Sequence, residues 1–241
     1  MDTRLVLLLA CAACAAAGRV APTAPEASCP PPNFDSAPGL DLTKFIDGPW
    51  YPQEQMPVFY QPVDSLYCVR AVYSPIDPAN LKAGIRVLNT AKSGSVDGKP
   101  MGSSGGAAGL NSIVALPSTG SGPTAASKLR VGPGFLQPFA RLPNLGDLVY
   151  GPYWVVAFAD DYSWAIISGG PPKVSTPGAC SAGRPSGQSF LDINGSGLWL
   201  FSRKPEDPGA VKVMRAKAAA LGFDLSVLKP VTQKGCTYPS T

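Results

Sequence analysis

The chain has 241 residues, 45% of them hydrophobic and 15% charged, with 26 Gly, 27 Pro and a formal net charge of +4. That length suffices for one all-β barrel or sandwich, the turn residues favour many short strands over long helices, and so diffuse a charge does not point to nucleic acid. The absence of histidine excludes Ser-His-Asp and Cys-His triads, zincin sites and His-ligated haem.

In chain order, residues 1–17 read as a secretory signal peptide: Arg4, an apolar stretch from Leu5 to Ala17, and a small-residue cleavage pattern near Ala15 to Ala17. The apolar stretch is too short to span a bilayer, and no other run is long enough. A lipoprotein acylated at Cys11 or Cys14, or an organelle lumen, is the alternative destination. Export leaves Cys29, Cys68, Cys180 and Cys236 for two disulfides with three possible connectivities; without CxxC spacing they point to neither zinc nor redox catalysis. Residues 18–40 form a Pro/Ala-rich leader held by Cys29.

Trp50 follows in "KFIDGPWYPQEQMP", a setting of Gly, Pro and charge that gives no obvious cover for so large a side chain. "YCVRAVYS" alternates as a strand, with Val69, Ala71 and Tyr73 on one face and Cys68 and Arg70 on the other. "GIRVLNTAK" is a further strand, and Asp97-Gly98 after it is a hairpin signal. "GSSGGAAG" lacks the Lys-Ser/Thr of a phosphate loop and reads as loop; the whole stretch from Met101 to Ala126 carries little strand signal. "SKLRVGP" is a short strand. In "YWVVAFADDYSWAIISGG" two runs, apolar on both faces, flank a turn at Asp160-Asp161, where the carboxylates act as solvated caps. Asn194 heads a glycosylation sequon, and "GLWLFSRKP" is another strand. A helix then runs from an Asp207 N-cap and Pro208 to Gly222, with Val211, Met214, Ala218 and Leu221 as its apolar stripe. "FDLSVLKPVTQKGC" supplies a short last strand.

Seven or eight strands in succession without intervening helices close most readily into an up-and-down barrel. Three segments of that meander carry a resemblance. Gly48 and Trp50 in "DGPWY", Asp161, Tyr162 and Ala165 in "DDYSWAIISG", and Arg203 in "LWLFSRKP" together resemble the lipocalin family, in wording nearest its apolipoprotein D-like, bacterial and plant members. The likeness covers Asp41 to Cys236, so that residues 41–241 are expected to be one lipocalin domain.

The resemblance implies an all-β, eight-stranded antiparallel barrel with one C-terminal helix packed outside. It implies Arg203 stacked on Trp50 at the closed end, in a structural role rather than on a ligand carboxylate. It also implies the pairs Cys29–Cys180 and Cys68–Cys236, with Cys68 pointing out of the barrel. Candidates for the lining are Val69, Ala71, Tyr73, Tyr153, Trp154 and Trp164, although the later strands do not reveal which of their faces turns inward. The expected ligand is a small hydrophobic molecule such as a fatty acid, retinoid or carotenoid, with no metal, cofactor or nucleic-acid partner. A lipocalin-fold enzyme and a filled structural barrel are the rival readings.

Overall fold

The structure, a computed structural model, describes residues 28–102, 112–142, 145–184 and 196–238. The expected signal peptide and the Asn194 sequon therefore lie outside the described residues.

Eight strands form the wall: β1 (Tyr51–Gln55), β2 (Tyr67–Pro75), β3 (Ile85–Ser93), β5 (Ile113–Pro117), β6 (Lys128–Pro133), β7 (Gly151–Phe158), β8 (Trp164–Ser168) and β11 (Leu198–Ser202). Each pairs antiparallel with the next in the order β1-β11-β8-β7-β6-β5-β3-β2, a meander whose two ends meet. They meet at one bridge, where Trp50 and Ala71 exchange N–H···O bonds of 2.9 Å in both directions. The remaining strands are additions. β4 (Lys99–Gly102) folds back on β3 through the turn at Asp97-Gly98, where a Cβ on Gly98 would lie 1.8 Å from the Ser93 carbonyl. β9 (Val174–Thr176) and β10 (Ala179–Ser181) make a separate small hairpin, and β12 (Lys229–Pro230) adds to β1. The Met101–Ala126 stretch, weak in sequence signal, contributes β5 all the same; its short apolar run is held by pairing to β3 and β6 on both sides.

Beyond the Trp50 bridge, β1 and β2 diverge, and the C-terminal segment fills the gap. Val231 N–H donates to Gln53 O, Thr232 N–H to Leu66 O, and Cys68 N–H to Thr232 O, all at 2.9 Å. The buried Gln233 amide donates to Pro52 O on β1 at 2.8 Å and to Val69 O on β2 at 2.9 Å. The disulfide Cys68–Cys236 staples this insert in place, and Cys29–Cys180 ties the leader to β10. Cys68 takes a left-handed φ of 52° at a bulge where three steps of β2 oppose two of β3. Val69 consequently does not join Ala71 and Tyr73. It packs with Leu66, Ala91 and Val231 in a small cluster beside the seam.

The helix α3 (Pro208–Ala220) begins where expected, with the Asp207 carboxylate accepting from Ala210 N–H at 3.0 Å and from the Ser202 hydroxyl at 2.8 Å. It lies on the outer face of β8 and β11. Its buried stripe is Ala210, Met214 and Ala218 rather than one led by Val211, and Val213 is exposed. Met214 is fully buried, a contribution of about 1.5–3 kcal/mol for a side chain of that size. Arg215 on the helix reaches Glu54 on β1 at 2.6 Å.

Candidate functional site

The closed end of the barrel explains the exposed-looking context of Trp50. A short helix, α1 (Leu42–Ile46), capped by Asp41, turns Phe45 and Ile46 under the strands. Trp50 is fully buried against Phe45 and Phe201, and its indole N–H donates to Phe45 O at 2.8 Å. The Arg203 guanidinium lies 3.6 Å from the Trp50 ring centroid. It donates to five carbonyls, those of Gly48, Lys44, Phe45, Pro49 and Tyr162, at 2.8 to 3.2 Å. Burial pulls its pKa down to about 10, against the favourable charge of Asp47, so it stays cationic at neutral pH. Gly48 keeps φ at +85°, a conformation that turns its carbonyl to that cation without Cβ strain. Across the floor, the Tyr162 hydroxyl accepts from Asp41 N–H at 2.7 Å, while Asp161 caps its own exposed turn through Ser163 N–H. Ala165 packs inside. The Arg203 guanidinium and the Trp50 indole N–H are thus satisfied by protein carbonyls.

Above that floor the strands sort their side chains into two sets. Ala71, Tyr73, Tyr153, Val155, Ile167, Trp199 and Phe201 belong to the interior cluster, while Trp154, Val156, Trp164, Ile166, Leu198 and Leu200 belong to the cluster under α3. Of the sequence-derived lining, Ala71, Tyr73 and Tyr153 therefore face the lumen. Trp154 and Trp164 do not: they face outward, where Trp154 also carries the Lys128 ammonium 4.8 Å from its ring centroid. The alternation of β7 and β8 is plain, but both faces are apolar because the lumen covers one and α3 the other. Trp199 on β11 faces in, as Trp50 does at the floor. Its ring folds back over Gly197, where a Cβ would lie 2.0 Å from the indole.

No family model matches the chain, and no curated protein does. Among solved structures, insecticyanin from the tobacco hornworm Manduca sexta is 16% identical, covering 88% of this chain and 93% of that one at a TM-score of 0.51. The chain has the lipocalin fold. Lobster apocrustacyanin A1 is also similar, at 15% identity and a TM-score of 0.49, over 85% of this chain and 93% of that one.

Within the lipocalin barrel, several polar groups of the described residues face the lumen or its mouth, among them Asn89, which pairs with the inward Ala71 and alternates with Val87. The Tyr73 and Tyr153 hydroxyls share a 2.7 Å hydrogen bond between strands that are not neighbours in the sheet. Burial pushes Tyr73 up to about 12 and Tyr153 well above its ordinary value, Tyr73 adding to the second shift. Tyr60, at the tip of a tight turn closed by Val58 and Gln61, is 55% exposed. Desolvation nonetheless pushes its hydroxyl up to about 12, and its charge would bear on Tyr153.

Gln55 belongs to the same set and was not visible in the alternation. Counting by twos from the inward Trp50 places Glu54 inside and Gln55 outside. A bulge between Pro52 and Glu54 reverses this: Gln55 pairs with Trp199, so both face the lumen, while Glu54 pairs with Leu200 and meets Arg215 outside. The usable signal was the Glu54–Arg215 ion pair, had the helix position been known.

Proposed function

We propose that this protein is an exported lipocalin that binds a small hydrophobic ligand in the barrel and carries it without transforming it. The observation that carries the reading is the barrel interior itself: an apolar wall, floored by the Trp50–Arg203 plug, with the Tyr73 and Tyr153 hydroxyls and the Gln55 and Asn89 amides among its polar groups. Apolar ligand surface removed from water there is worth about 25 cal/mol per Å². Tyrosines whose pKa burial raises well above the ordinary value are poor acids and bases at neutral pH, which favours binding over catalysis. Two disulfides suit an oxidising compartment, in keeping with export through residues 1–17.

Titration of the natively purified protein with a polyene tests this. Saturable quenching is expected, most of it lost in Trp199→Phe, together with a negative heat-capacity change. Ligand at about a hundred times its Kd should add about 2.7 kcal/mol to unfolding. A second reading, a filled structural barrel, is favoured by the Tyr73–Tyr153 bond, which ties two walls together inside the lumen. A panel of fatty acids, fatty alcohols, retinoids and carotenoids that neither quenches nor raises the Tm would decide for it. Recovery of an altered ligand would decide for an enzyme.

A further inference from the structure

Gln55 is fully buried, and its amide is only half used. Its Nε2 donates to Gln61 Oε1 at 3.0 Å, whereas its Oε1, also buried, has no partner. A buried amide oxygen left open costs stability unless something supplies a donor. The register with Trp199 aims this group at the lumen, just inside the turn that carries Tyr60.

Among the described residues, the cationic side chains of the wall strands lie off the inward face. On the wall strands Arg70, Arg86, Lys128 and Arg130 alternate with the inward residues Ala71, Val87, Leu129 and Val131, and so point outward. Arg86 and Arg130 donate to carbonyls outside, and Lys128 pairs with Asp35. Arg203 is consumed at the floor. A carboxylate drawn inside would meet no counter-ion from the wall strands and would lose its hydration, which penalises the ionised form or forces its protonation.

We propose that Gln55 is the polar anchor of the lumen and that the ligand is a neutral molecule bearing a hydroxyl, an apolar alcohol rather than a carboxylate. A hydroxyl both donates and accepts, so either orientation of the Gln55 amide serves it. The selectivity follows from the general asymmetry that a site built to hydrogen-bond a group rejects the analogue lacking it, because the site's own polar atom is then stranded. This deepens the ligand-binding reading and rests on it.

The experiment compares retinol, retinyl acetate and retinoate, which share one polyene and differ at the head, by tryptophan quenching at pH 7.5. Retinol should bind about tenfold more tightly than the acetate, the worth of one hydrogen bond to a buried acceptor, and the retinoate should be weakest. Lowering the pH to 5 should strengthen retinoate alone, as the acid neutralises; with no histidine, the protein has no side chain of ordinary pKa to titrate in that window. Gln55→Leu should weaken retinol about tenfold and leave the acetate unchanged. Retinoate binding as tightly as retinol at pH 7.5 overturns the proposal while leaving the ligand-binding reading intact; so does an unaltered retinol-to-acetate ratio in Gln55→Leu. If none of the three binds, and no fatty alcohol does, the ligand-binding reading falls and takes the proposal with it. The ranking on the unmodified protein decides even if the variant fails to fold.

Discussion

The two ends of the barrel treat their polar groups in opposite ways. At the closed end one guanidinium meets five carbonyls and one indole face, and the Trp50 N–H is also satisfied. Toward the mouth, the Gln55 oxygen is open and Tyr60 is half-wrapped. A region whose hydrogen bonds are complete can only lose by change, so its residues report stability. A region left incomplete is poised to gain a partner, so its residues report binding. The contrast separates two kinds of aromatic that a sequence presents alike.

The largest effect should come from the seam rather than from either end. Replacing Cys68 and Cys236 by Ser should cost about 2–5 kcal/mol, the range for a native bridge in a small secreted domain, because it frees the insert that joins β1 to β2. Denaturant unfolding measures it, and a change below about 1 kcal/mol would show that Gln233, the backbone bonds and the Val231 cluster hold the seam without the bridge. Next, Arg203→Ala should lower stability by about 2–4 kcal/mol, from the lost stacking and the stranded carbonyls, with ligand Kd nearly unchanged. A variant with normal stability and no binding would erase the distinction between the two ends. Tyr60→Ala should do the reverse, moving stability by less than about 0.5 kcal/mol while weakening ligand several-fold.

The smallest effect concerns pH. Asp207, Asp224 and Asp35 sit below the usual carboxylate value: their partial burial, which raises a pKa, is outweighed by bonds from Ala210 N–H and Ser202, from Ser226, and from Lys128 and Ser36 respectively. A folded pKa below the unfolded one means stability that is present above about pH 3.9 and lost as pH falls through the folded value. Each contributes little, because solvent screens these mostly exposed carboxylates. The Tm should therefore stay level from pH 8 to 5 and fall only below about 4. A step between pH 6 and 7 would point to a titrating group absent from this description.

The closed end was legible because its parts are residue types with one use in that position. A Gly at positive φ, a Trp in polar company and an Arg after a strand define the plug almost without packing information. The lumen was legible on β2, where Ala71 and Tyr73 alternate with Arg70 and Val72. It failed on β7 and β8, since strands sandwiched between lumen and helix carry apolar residues on both faces and the alternation has no sign. It failed again at Val69 and Gln55, each beside a bulge, because one inserted residue moves everything past it to the other face. Both failures lie where the barrel departs from regular pairing, and one of them marks the open polar atom.

The seam also sets the order in which the molecule can become whole. Gln233 joins Pro52 and Val69 across sequence separations of 181 and 164 residues, and every wall strand precedes it in the chain. Until that segment arrives, β1 and β2 are joined at the Trp50 bridge alone and present unpaired strand edges on either side of the gap. Contacts so distant in sequence form slowly, and unpaired edges invite pairing with other chains. During synthesis the nearly finished barrel is thus a molecule with an open zip, and the segment around Gln233 decides between closure and aggregation.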